Sequence, residues 1–125
     1  MRYELEIIGN QEDPKNGNPI PYERMTQRGK WKNKRAQRYL AWKKYVQECW
    51  LEKYGRLPKY DGSNSLQLDV ACLFKGENHA DPDNIYKAIA DSLFKNDKHV
   101  WGRVCFAHVA QDPGVKITVQ FAGGL

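Results

Sequence analysis

The run Leu66-Gln67-Leu68-Asp69-Val70-Ala71-Cys72-Leu73-Phe74 places an apolar residue at every second position from Leu66 to Phe74. Side chains alternate across an extended chain, so a period of two predicts a strand with one buried face. The next run, Asp81-Pro82-Asp83-Asn84-Ile85-Tyr86-Lys87-Ala88-Ile89-Ala90-Asp91-Ser92-Leu93, changes period. Ile85, Ala88, Ile89, Ser92 and Leu93 fall on one helical stripe, and an aspartate followed by proline at the first helical position is a start signal.

Toward the N-terminus, Tyr3, Leu5 and Ile7 alternate with Glu4 and Glu6 in a short first strand. Asn33 can cap a helix running to about Tyr54, with Ala36, Tyr39, Trp42, Val46, Cys49 and Trp50 on one stripe. Gly55 and Pro58 end it, and Tyr60-Asp61-Gly62-Ser63 supplies a turn. After the second helix, two strands are expected near Val100–Ala110 and Val115–Phe121, joined as a hairpin by Asp112-Pro113-Gly114. The stretch from Gly9 to Gly29 has no period, and a connection that long in a small domain is expected to be functional or mobile rather than idle. The order is therefore β-α-β-α-β-β. The 125 residues make one α+β domain, 1–125, with two helices packed on a mixed β-sheet.

Composition narrows the function classes. No apolar stretch approaches the ~18 to 20 residues that cross a bilayer, and Met1-Arg2-Tyr3-Glu4 lacks a signal-peptide core, so the expected location is the cytoplasm with no membrane partner. Cys49, Cys72 and Cys105 are odd in number, widely spaced and set among apolar neighbours, which predicts small buried hydrophobes rather than disulfides or a zinc site. His79, His99 and His108 show no metal-ligand spacing either.

Charge is unevenly distributed. Arg28 to Lys59 holds eleven lysines and arginines against Glu48 and Glu52, a net +9, while the remainder nets −4. A polyanion is the expected partner of such a block, with Arg28, Lys30, Lys32, Lys34, Arg35 and Arg38 as its candidate DNA-binding residues. Trp31, Tyr39, Trp42, Tyr45 and Trp50 interleave with the bases. They suit contact with nucleobases, and equally suit the core beneath a basic helix face.

The candidate chemistry lies in the second helix and the short segment after it. Asp81 and Asp83 lie on one side of an extended approach, Lys87 is one turn beyond Asp83, and Asp97 returns after the helix. Carboxylates offer hard oxygen ligands to Mg²⁺, which can activate water for phosphodiester cleavage, and a lysine can offset charge on the phosphoryl group. An ordinary helix start explains the same residues: Asp81 as N-cap, Asp83 as a first-turn acid, Asp83 with Lys87 as an exposed pair. Asp91 is also spaced to pair with Lys87, and spacing leaves Asp69 and Glu77 open as further ligands.

The pattern Asp81-x-Asp83-Asn84-x-x-Lys87-x-x-x-Asp91, then Asn96-Asp97-x-x-Val100 ahead of a strand, resembles the signature of RusA-type Holliday junction resolvases. The resemblance covers about the last 60 residues well and the first half only in general plan. It implies a small homodimeric α+β endonuclease that binds branched DNA and nicks four-way junctions in symmetric pairs, using Mg²⁺ with Mn²⁺ as an alternative. It further implies Asp81, Asp83 and Asp97 as catalytic metal-site carboxylates, Lys87 as the catalytic lysine, and Asn84 and Asp91 as structural positions. Two features depart from the pattern. Asn96-Asp97 stands where members often carry two acids, after a short segment, and Asn78-His79-Ala80 stands where bases can precede the acidic pair. The rival expectation is a non-catalytic DNA-binding module with a basic helix; RNA as the substrate is a third.

Overall fold

A computed structural model describes residues 2–9, 17–24, 33–60, 65–98 and 100–122. Most of the Gly9–Gly29 connection, the turn residues Asp61, Gly62 and Ser63, and the candidates Arg28, Lys30 and Lys32 with Trp31 and His99 lie outside them. The elements are β1 (Arg2–Ile8), α1 (Lys34–Tyr54), β2 (Ser65–Phe74), α2 (Pro82–Leu93), β3 (Val104–His108) and β4 (Gly114–Ala122), in the expected order β-α-β-α-β-β.

Local chemistry sets the helix ends. Asn33, in extended conformation, accepts the Arg35 N–H at 2.9 Å and starts α1. Gly55, at φ 81°, takes the left-handed position that closes it. The α1 stripe buries Ala36, Tyr39, Trp42, Val46 and Trp50, with Cys49 half-buried. Three of the five interleaved aromatics, Tyr39, Trp42 and Trp50, therefore belong to the core, where the large rings supply much of the buried apolar area.

The four strands form one mixed sheet in the order β1-β4-β2-β3. β4 runs antiparallel to β1 (Leu5↔Ile117) and to β2 (Val70↔Ile117), and β3 runs parallel to β2 (Cys72↔Phe106). A parallel β2–β3 pair follows from α2, which returns the chain to the starting end. Leu66, Leu68, Val70, Cys72 and Phe74 of β2 and Val115, Ile117 and Val119 of β4 are all buried.

The expected hairpin at Asp112-Pro113-Gly114 does not form. β2 lies between β3 and β4, so the turn connects strands that flank a third. The burial pattern fits this order: β4 puts Val115, Ile117 and Val119 into the core and pairs its backbone on both sides, whereas β3 is exposed along nearly its whole length, as an edge strand is. β3 is also shorter than expected, with Trp101 making only an isolated bridge to Gln67. The cysteine expectation is corrected for two of the three. Cys105, on the edge strand, is exposed, and Cys49, on α1, is half-buried; Cys72 alone is buried, which pushes its thiol up to about 12.

Two clamps hold the segment 17–24 against this frame. The Asn18 amide donates to the Lys75 carbonyl at 2.9 Å, and its oxygen accepts the Lys75 N–H at 2.8 Å. The Tyr22 N–H donates to the Asn84 carbonyl at 3.0 Å. The segment thereby reaches both the end of β2 and the first turn of α2.

Candidate active site

Asp81 is the N-cap of α2. Its Oδ1 accepts the Asp83 N–H at 2.9 Å, its carbonyl accepts the N–H of Asn84 and Ile85, and Pro82 follows at the first helical position. Asp81 and Asp83 are both exposed. The Asp83 carboxylate makes no hydrogen bond or ion pair with the described residues, so the exposed Asp83–Lys87 pair that spacing offered is not made.

Lys87 has a different partner. Its ammonium stands 4.8 Å from the centroid of the Tyr22 ring. Asp91, spaced to be its partner, instead accepts hydrogen bonds from the Tyr39 hydroxyl and from Lys43 Nζ, the latter at 3.1 Å. Burial first, then the bond to Asp91 and the charges of Asp91 and Asp97, push the Tyr39 hydroxyl far above its ordinary range, so it stays a neutral donor. The structural role that the resemblance implied for Asp91 takes the form of a tie between the two helices.

Asp97 is exposed, and its carbonyl accepts the Val100 N–H at 3.0 Å. Its charge is felt at Tyr39. Asp81, Asp83 and Asp97 are not drawn into one cage: among the described residues no group of three or more His, Cys, Asp or Glu is placed to hold a metal ion. Asp81 and Asp83 alone fit Mg²⁺ in donor type. That ion keeps several waters and commonly takes one or two carboxylates together with substrate phosphates.

Of the other carboxylates, Asp69 is committed elsewhere. It accepts from the Gln67 amide and from the Arg103 N–H at 3.0 Å, on the sheet face away from the helices.

Basic residues flank the acidic pair. Arg35 and Arg38 of α1 help to line a cavity of about 620 Å³, together with Asn18, Glu23, His79 and Ala80. His79 and Ala80 lead directly into Asp81, so the cavity opens beside the start of α2. Lys34, also exposed, stands at the first position of α1. His79 stacks on Phe74 at 3.8 Å, and its Nε2 lies 2.8 Å from Nε2 of His108 on β3.

Sequence reasoning missed Tyr22, Lys43 and the His79–His108 contact. Tyr22 lies in a segment without period, and His79 and His108 are 29 residues apart. Only Tyr39 and Lys43 left a signal, their i,i+4 spacing on one helix.

No curated protein matches the chain. The family model described as Endodeoxyribonuclease RusA matches residues 16–120, which reaches well beyond the C-terminal signature into the basic helix and the segment before it. The match covers the capped acidic start of α2, Lys87 and the arginine-lined cavity together, and on it the chain belongs to the RusA endodeoxyribonuclease family.

Proposed function

We propose that this chain resolves four-way DNA junctions by paired symmetric nicks, as a Mg²⁺-dependent homodimer acting in recombination and repair in the cytoplasm. The observation that carries the reading is the exposed Asp81–Asp83 pair beside a cavity lined by Arg35 and Arg38. Acids that hold a cation and bases that hold phosphate are the two halves of a phosphodiester-cleaving site. No helix among the described residues is long and apolar enough to cross a membrane.

In this reading Asp81 and Asp83 hold the ion, with Asp97 as the third carboxylate, and Mn²⁺ can replace Mg²⁺. The ion, when bound, supplies an activated water and offsets charge on the phosphoryl oxygens. Arg35 and Arg38, with Lys34 and the more N-terminal Arg28, Lys30 and Lys32, hold the DNA backbone. Lys87 donates to a phosphoryl oxygen and offsets the charge that grows there. Dimerisation fits the substrate, since a four-way junction presents two symmetry-related scissile phosphates.

The test is an end-labelled four-way junction and a matched linear duplex, each with Mg²⁺ and with EDTA. Symmetric nicks in the junction alone, lost with EDTA, are expected. Asp83→Asn should lower cleavage by more than the roughly 10- to 100-fold typical of losing an outer-shell partner, while junction binding is kept or improved. Cleavage at the normal rate by that variant would show the site to be misplaced. Tight binding without cleavage under any divalent metal would leave a DNA-binding module.

A further inference from the structure

Lys87 is held in an unusual way for a lysine one turn from a carboxylate. Asp91 lies at i+4, the spacing of an ordinary helical ion pair, yet Tyr39 and Lys43 occupy it. Among the described residues the ammonium makes no ion pair, and its contact is the Tyr22 ring at 4.8 Å. That ring is itself fixed from two sides. Its backbone N–H is bonded to Asn84 at 3.0 Å, and it packs edge to face against Tyr39, with centroids 5.4 Å apart and planes at 69°. The Tyr22 hydroxyl makes no hydrogen bond with the described residues, so the ring is the part in use.

The two kinds of partner have different consequences. A carboxylate holds an ammonium and cancels its charge; an aromatic face attracts the cation through its quadrupole and leaves the full charge in place. We propose that Tyr22 is a positioning residue for Lys87: its ring holds the ammonium at the start of α2 with its charge intact for a phosphoryl oxygen, while Tyr39 and Lys43 keep Asp91 from neutralising it. The phosphoryl role of Lys87 rests on the reading under Proposed function; the contact itself does not.

The experiment compares Tyr22→Phe and Tyr22→Leu, each alone and on a Lys87→Gln background, with the thermal midpoint of every variant measured to establish folding. Tyr22→Leu should lower single-turnover cleavage of bound junction about two- to fivefold, the range of a cation–π contact made by an exposed lysine, with junction affinity unchanged. Tyr22→Phe keeps the ring and should restore most of the turnover. On the Lys87→Gln background Tyr22→Leu should cost nothing further, because the two residues act as one unit. A second readout needs no cleavage: the Lys87 side-chain proton resonances, assigned by their loss in Lys87→Gln, should be shifted upfield by the ring in the unaltered protein and in Tyr22→Phe. They should return to ordinary lysine positions in Tyr22→Leu. Resonances unmoved by Tyr22→Leu would overturn the proposal, as would an undiminished loss on the Lys87→Gln background. An unaltered protein that fails to cut junctions would instead overturn the functional reading, and the resonances would still decide the contact.

Discussion

Asp91 ties the two helices together through Tyr39 and Lys43, at a site where both charged side chains are about one-third exposed. Asp91→Ala strands a buried tyrosine hydroxyl and an ammonium at once, and a loss of about 1 to 3 kcal/mol in urea unfolding is expected. Asp91→Asn keeps an acceptor for Tyr39 and should cost less; equal costs would mean that the ion pair, not the hydroxyl, carries the tie. Tyr86 presents the opposite case, a buried hydroxyl with no partner among the described residues. Burial, then the charge of Asp69, raises it from 10.0 to about 12. The folded state thus keeps the proton that the unfolded chain releases above its ordinary value. The contribution is fully present below about pH 10 and is lost as pH rises toward 12. Tyr86→Phe should flatten the fall in urea midpoint between about pH 8 and about pH 11, and at neutral pH should be neutral or stabilising by up to about 1 kcal/mol. A clear loss at neutral pH would reveal a partner for the hydroxyl.

Among the strands, the approach to β3 depends on one small residue. A Cβ at Gly102 would sit 1.8 Å from the Leu68 carbonyl oxygen and 2.6 Å from its carbon, both backbone atoms. Leu68 cannot retreat without breaking its N–H bond to the Trp101 carbonyl at 2.9 Å and its place in the β2–β4 ladder. Gly102→Ala should therefore cost about 3 kcal/mol or more, read as a fall in denaturation midpoint. A midpoint within experimental error of the parent would show that β3 docks differently. The alternation in β2 and the caps of both helices could be read from local residues. The place of β3 could not: Asp112-Pro113-Gly114 has hairpin chemistry, and none of its near neighbours reports that β2 lies between the strands it joins.

At the scale of the whole chain, a +9 block stands against a −4 remainder, and the proposed phosphate path runs over that block. Counterion release gives a linear fall in log affinity with log salt, and each phosphate-contacting arginine adds about one to the slope. Arg35→Ala and Arg38→Ala should each reduce the slope for junction binding by about one while leaving the fold intact. Unchanged slopes in both would place the DNA path away from the cavity beside Asp81. The basic helix divides its faces: Tyr39, Trp42 and Trp50 are buried, and Arg35 and Arg38 are exposed.

Whatever depends on near neighbours is written in the chain: the element order, both buried stripes, Asn33 and Gly55 at the ends of α1, and Asp81-Pro82 at the start of α2. Those signals are local because hydrogen bonds at helix ends and side-chain alternation reach only a few residues. The acidic pair was legible for the same reason, and so was the family signature around it. Folding in three dimensions was needed to place β4 inside the sheet, to give Asp91 to Tyr39 and Lys43, and to rest Lys87 on Tyr22. Each of these pairs residues many positions apart, where burial of apolar faces sets the distance and the intervening sequence carries no period that could announce it.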